Sequence, residues 1–203
     1  MRVGICLCTL AVMAPLSAHA QITRLNVQGP YTQPSSGMTW PENVGDFSRV
    51  SILQYKADGS DMSAGYHRML AHAEIVATAY TFPVPAGATT DASGHIGQSQ
   101  CAPLAAEIMR EVTQAAPSAK PLTAEAVTLD QQGPQQGFHG IFALTAPHFM
   151  DRTDEAVKSE AYVFCVKDKW IAEFRFSYPA ATEDARKEID AFMAGLKWTY
   201  AGP

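Results

Sequence analysis

The stretch from Ala161 to Leu196 constrains the fold more than any other part of the chain. Residues 161–166 form a short apolar run of aromatic and β-branched side chains, which is typical of a buried strand. After the charged triplet 167–169, the chain alternates regularly. One face carries Trp170, Ala172, Phe174, Phe176 and Tyr178, and the other carries Ile171, Glu173, Arg175 and Ser177. Pro179 cannot donate a ladder hydrogen bond, so we expect this strand to end there.

A helix is predicted directly after this strand. Thr182 is a good N-cap, and Glu183 and Asp184 place negative charge where the helix dipole favours it. One helical face then collects the apolar residues Ala185, Ile189, Phe192, Met193 and Leu196. We expect this helix to lie across the aromatic face of the strands.

The N-terminus has the pattern of a secretory signal peptide. A short segment with one basic residue, Arg2, precedes an apolar run from Ile5 to Leu16, and Ala18-His19-Ala20 supplies small residues at the cleavage positions. The alternative is an N-terminal membrane anchor, but the apolar run is too short to span a bilayer comfortably. We therefore expect cleavage near Ala20-Gln21, a periplasmic or secreted protein, and a single domain over residues 21–203 whose first part (21–46) is partly irregular.

Composition excludes some partner classes. The formal net charge is −5 and the basic residues are scattered, which argues against nucleic acid as a partner. No apolar run after the signal peptide is long enough to span a bilayer, so we expect no stable membrane insertion.

Two cysteines remain after cleavage, Cys101 and Cys165. In an oxidising compartment a lone pair within one domain is more often a disulfide than two free thiols. The alternatives are a redox-active pair and a metal site. Neither has the expected pattern, because the mature chain lacks Cys-x-x-Cys and has no His at short ligand spacing.

The rest of the chain reads as strands around one further helix. Strands are predicted within 21–27, 46–55, 62–68, 74–82, 123–129 and 138–145, and residues 28–43 and 147–160 are predicted as connections. In 46–55, Val50 and Ile52 are expected on one face and Phe47, Leu53 and Tyr55 on the other. The helix covers residues 99–114. Its apolar face is predicted to hold Cys101, Ala105, Ile108, Met109 and Val112.

These elements predict a fold class. If the chain turns through 167–169, Val166 and Trp170 share a face and Cys165 points the other way, so a bridge to Cys101 places the first helix opposite the last. We therefore expect an α+β fold, with a curved antiparallel sheet of about six to eight strands and helices packed on both faces. The element order, with the closing strand 174–179 and its helix, resembles the PsbP-like α+β sandwich and uncharacterised exported bacterial proteins. That resemblance implies a non-enzymatic accessory or assembly role and carries over no functional residue.

Several residues are candidates for a metal-binding or catalytic site. Of the histidines His67, His72, His95, His139 and His148, His72 forms a His-x-Glu with Glu74, but the Pro-Cys-x-x-Cys of a zinc deaminase does not follow. Asp58, Ser60 and Asp61 are typical of a turn rather than a calcium loop, because Met69 stands where an EF-hand needs Glu.

Two further features have a functional and a structural interpretation. Glu173 and Arg175, neighbours on one strand face, form either an active-site pair or, as we expect, a structural ion pair. Trp40 is either an exposed recognition residue or, as we expect, part of the core. We therefore assign no catalytic, cofactor-binding or metal-binding residue.

Three functional hypotheses follow. The leading one is an exported binding or accessory domain of the cell envelope, with an unidentified protein or small molecule as its ligand and no cofactor. The second is an exported hydrolase or metal-dependent enzyme with an unrecognised site, which would retain zinc on purification. The third is a thiol oxidoreductase, which requires Cys101 or Cys165 to be exposed.

Overall fold

The computed structural model describes residues 22–87, 98–129, 135–149, 152–166 and 169–196. The predicted signal peptide, its cleavage site and His95 lie outside these ranges. The elements in chain order are β1 (Thr23–Leu25), β2 (Tyr31–Thr32), β3 (Thr39–Trp40), β4 (Asn43–Val44), β5 (Phe47–Gln54), β6 (Met62–Met69), β7 (Glu74–Pro83), α1 (Gln98–Ala115), β8 (Lys120–Leu129), β9 (Gln135–Phe149), β10 (Arg152–Val166), β11 (Trp170–Pro179) and α2 (Ala185–Gly195).

One nine-stranded antiparallel sheet organises the fold. Its strands run in the order β1-β5-β6-β7-β11-β10-β9-β8, with β4 paired to β5, while β2 and β3 form a separate two-stranded sheet. Strands β5 to β7 and β8 to β11 are two meanders, and α1 connects the end of the first to the start of the second. The meanders join where β11 pairs with β7, so β11 lies in the middle of the sheet.

The aromatic face predicted from the sequence forms the main core. Its members on β11 are buried or partly buried in one cluster with α2. The Phe192 ring makes edge contacts with Phe47, Tyr66 and Phe176, at centroid distances of 4.9, 5.3 and 5.3 Å. All five apolar residues predicted for this helix are buried. The helix begins at Ala185 with Asp184 as its N-cap, so the prediction that Thr182 caps it is wrong.

Helix α1 packs on the face that carries Ile171. Ala105 and Ile108 contact the buried Val163 and Ile171, and Val112 contacts Phe142 and Ala161. The Cys101–Cys165 disulfide ties the first turns of α1 to β10, with a Cα–Cα distance of 5.9 Å. The structure confirms the predicted disulfide, which is compatible with an oxidising compartment outside the cytoplasm.

The predicted α+β class is wrong. Strands account for 54% of the described residues and helices for 18%, so the fold is a mostly antiparallel β-sheet on which each face carries one short helix rather than a helical layer. The expected six to eight strands were too few, because β4, at the end of the predicted connection 28–43, also joins the sheet. The connection predicted at 147–160 is wrong as well: residues 147–149 complete β9 and residues 152–160 begin β10. Their charged and small side chains resemble a loop in sequence.

A β-bulge corrects the predicted faces of β5. Strict alternation places Phe47 and Ile52 on opposite sides, but the register shifts between Arg49 and Ser51. The extra residue brings both Phe47 and Ile52 into the core and leaves Val50 44% exposed.

Candidate functional site

Three of the histidines singled out from the sequence have described side chains, and they lie on β6, in the β6–β7 turn and on β9. His67 pairs with Glu74 across the β6–β7 hairpin. His72 lies in the turn between the same strands and lines a cleft, whereas His139 is buried on β9. No group of three or more His, Cys, Asp or Glu able to hold a metal ion occurs among the described residues.

His139 belongs to a buried polar network that the sequence did not reveal. Its Nε2 lies 2.8 Å from Oε2 of Glu160, and the two side chains are 1% and 2% exposed. The hydroxyl of Tyr178 donates to Oε1 of Glu160 at 2.5 Å, and the hydroxyl of Tyr162 donates to Oε2 at 3.2 Å. The imidazole also stacks on the Tyr162 ring, with centroids 4.1 Å apart.

Neighbouring groups offset the cost of burying the Glu160 carboxylate. Burial by itself would raise the pKa of Glu160, but hydrogen bonds from His139 and Tyr178 lower it below its usual value. Nη1 of Arg186 on α2 lies 3.6 Å from Glu160, and Oε1 of Glu125 on β8 lies 3.3 Å from Nδ1 of His139. The network thus links three strands of the sheet to α2 and to β8, and protein atoms satisfy its carboxylate.

A second polar region lies in the middle of the opposite sheet face. Strand pairing places Tyr80 on β7 between Ser63 on β6 and Glu173 on β11, and Thr78 between Gly65 and Arg175 in the same way. Ser51 on β5 pairs with Gly65, and Ser177 lies two residues beyond Arg175 on β11. We call this surface the polar face and define it by Ser51, Ser63, Gly65, Thr78, Tyr80, Arg175 and Ser177. All of these except the buried Ser63 are partly exposed.

The Glu173–Arg175 pair anchors the polar face. Nε of Arg175 donates to the Glu173 carboxylate, which is 3% exposed, whereas the Arg175 side chain is 32% exposed. The guanidinium lies over the Tyr80 ring, 5.3 Å from its centroid. Burial raises the pKa of Glu173 although Arg175 opposes the shift, and burial likewise raises the pKa of Tyr80.

The pair presents a donor rather than an acceptor. The Glu173 carboxylate lies inside and is bonded to Arg175, whereas the two terminal amino groups of Arg175 have no hydrogen-bond partner among the described residues. The ring of Tyr55 stacks on Tyr80 at 6.4 Å, and its hydroxyl lies 2.9 Å from Oγ of Ser63. The polar face can therefore offer guanidinium donors and hydroxyls to a ligand.

Two clefts are less suited to a ligand. One of about 340 Å³ is lined by residues 24–27 and 49–52. The two arginines that line it already form hydrogen bonds within the protein: Arg24 donates to the Val50 carbonyl, and Arg49 donates to the carbonyls of Trp40 and Gly29. The other, of about 350 Å³, lies between the β6–β7 turn and the loop before α2. Its titratable groups come from three separate elements: His72 from the β6–β7 turn, Glu155 from β10, and Glu183 and Asp184 from the loop before α2.

Sequence patterns identified part of the polar face. The Glu173–Arg175 pair was predicted, and the prediction that it is an ion pair is confirmed. Tyr80 and Thr78 were missed as site residues. Their shared face was visible in the alternation of 74–82, but the pairing of β7 with β11 brings together residues far apart in sequence.

Two structural interpretations are also confirmed. Trp40 is fully buried. Asp58 lies in a turn, where its carboxylate accepts hydrogen bonds from the backbone and hydroxyl of Ser60.

Comparisons with known proteins give no relative. No protein-family model matches the chain, and no curated protein matches it significantly. Within the ranges that the structure describes, neither helix is long and apolar enough to cross a membrane.

Proposed function

We propose that this chain is an exported, non-enzymatic binding domain that holds its ligand on the polar face. The observation that carries the proposal is the partly exposed Arg175, fixed by the buried Glu173 and by Tyr80 in the middle of the sheet. A guanidinium held by a buried carboxylate is preorganised, so a ligand that binds it loses less free energy to side-chain ordering.

The arrangement of acids and bases favours binding over catalysis. The His139–Glu160 pair is closed off by Tyr162, Tyr178 and the sheet, so a substrate has no direct contact with it. In the Glu173–Arg175 pair the carboxylate lies inside, so it is poorly placed as a general base.

Export to the periplasm or the medium, after cleavage near Ala20-Gln21, is part of the proposal. The disulfide supports an oxidising compartment, and the N-terminal pattern supports the signal peptide. The resemblance to PsbP-like proteins stays a prediction.

The proposal is tested with a variant that blocks the polar face. Isotope-labelled protein is titrated with an envelope extract from the producing cells, and backbone amide shifts are followed by NMR. We expect shifts on β6, β7 and β11 in the wild type, none in Ser177→Arg, and unchanged shifts in Thr123→Arg, an exposed control on β8. Shifts that survive Ser177→Arg, or stoichiometric zinc in the purified protein, would contradict the proposal.

A further inference from the structure

We infer that the ligand of the polar face is a neutral saccharide. The inference rests on the proposed function and names the chemical class that this surface is built to hold. Three properties of the face support it: its hydrogen-bonding groups, its charge balance and the absence of a free strand edge.

The hydrogen-bonding groups match a polyhydroxyl ligand. Ser51, Thr78 and Ser177 carry hydroxyls, which both donate and accept. The Ser177 hydroxyl donates to Oγ of Ser159 at 3.4 Å and keeps its own oxygen as an acceptor. The outer amino groups of Arg175 add charged donors in a fixed plane. Sugar hydroxyls also both donate and accept, so each can pair with these groups.

The charge balance favours a neutral ligand. The single positive charge of Arg175 is matched by Glu173, and Glu111 on α1 adds further negative potential at the pair. An anionic ligand therefore gains little net attraction. A cation gains little as well, because the Glu173 carboxylate is buried and bonded to Arg175.

The floor of the face does not accept an extended peptide by strand pairing. Strand β6 is paired with β5 and β7, and β7 is paired with β6 and β11, so their backbone groups are used in ladders on both sides. At Gly65 a Cβ would come within 2.6 Å of the Ser51 hydroxyl oxygen, so any larger residue would displace that side chain.

The inference is tested by NMR titration of the mature protein with three neutral oligosaccharides: chitotetraose, maltotetraose and cellotetraose. Hexagalacturonate serves as the anionic comparison and tetraalanine as the peptide comparison. We expect at least one neutral saccharide to shift amides on β6, β7 and β11. Arg175→Lys keeps the charge but loses the planar donors and should weaken that binding about tenfold or more. Thr78→Val removes one hydroxyl at constant shape and should weaken it by about three- to tenfold, whereas Thr123→Val should leave it unchanged.

The outcomes separate the inference from the proposed function. If none of the three saccharides shifts the face, but Ser177→Arg still abolishes binding from the extract, the saccharide is wrong and the binding domain stands. If neither the saccharides nor the extract bind there, both fall. If hexagalacturonate or tetraalanine bound more tightly than the three neutral oligosaccharides, the inference of a neutral saccharide would be contradicted. The inference would also be contradicted if wild type, Arg175→Lys and Thr78→Val bound the saccharide with equal affinity while urea unfolding showed that all three proteins are folded.

Discussion

The buried carboxylate of Glu160 gives the strongest prediction on stability. It accepts hydrogen bonds from His139, Tyr162 and Tyr178, and each donor would lose its partner if the carboxylate were removed. Breaking a buried charge pair by removing one partner costs about 3–5 kcal/mol. We therefore expect Glu160→Ala to lower the free energy of unfolding by about that amount at pH 7.

A conservative change at the same site should cost less. Glu160→Gln keeps the shape and one acceptor oxygen but removes the charge, so about 1–3 kcal/mol should be lost. The pKa of Glu160 is lowered in the folded protein, so its stabilisation is complete above the ordinary Glu pKa and is lost as the pH falls through the folded value. The stability gap between wild type and Glu160→Gln should therefore shrink as the pH is lowered from neutral into that range.

Both effects are measured by urea unfolding, with the slope of free energy against urea as a check that the compactness of the states is unchanged. Lys187→Ala, an exposed change on α2, is the control and should stay within about 0.5 kcal/mol of wild type. A loss below about 1 kcal/mol for Glu160→Ala, or a gap for Glu160→Gln that does not change with pH, would refute the reasoning.

Three further predictions concern stability. The double variant Cys101→Ala/Cys165→Ala opens a loop with a sequence separation of 64 and should lose about 4 kcal/mol in urea unfolding; equal stability with and without the bridge would contradict this. Phe192→Ala removes a fully buried ring in contact with three aromatic residues and should cost about 3–5 kcal/mol, and a loss near that of Lys187→Ala would show that the cluster is not the core. Burial raises the pKa of Glu173, so the wild type loses stability as the pH rises from the ordinary Glu pKa through the folded value. Glu173→Gln should therefore become more stable relative to wild type over that range. Parallel profiles of unfolding free energy against pH for the two proteins would argue against this.

Local periodicity predicted much of the core. The aromatic stripe of β11, the buried face of α2 and the inward face of α1 follow from alternation or helical spacing within one segment. The disulfide followed from the two cysteines that remain in a chain predicted to be exported to an oxidising compartment. These features depend on short-range patterns, in which the periodicity of apolar residues is a direct signal.

Features that depend on non-local pairing were missed. Residues 147–160 resemble a connection because most of them are polar or small, and a buried polar residue such as Glu160 cannot be told from an exposed one in the sequence. The bulge in β5 breaks the alternation, which otherwise predicts the wrong face for Phe47 or Ile52. The contact between His139 and Glu160 joins two single polar residues on neighbouring strands, and no spacing in either strand indicates the other. The same reason hid Tyr80 as the partner of Arg175.

The central claim, that the polar face holds the ligand, is tested most directly by one comparison of two variants. Ser177→Arg fills the polar face, and Thr123→Arg adds the same charge on β8 outside it. Envelope extract is added to the wild type and to each variant, and the amide shifts of residues 78 and 175 and their neighbours are compared. We predict that Thr123→Arg keeps these shifts and that a folded Ser177→Arg loses those caused by ligand. Equal binding by both variants would contradict the account.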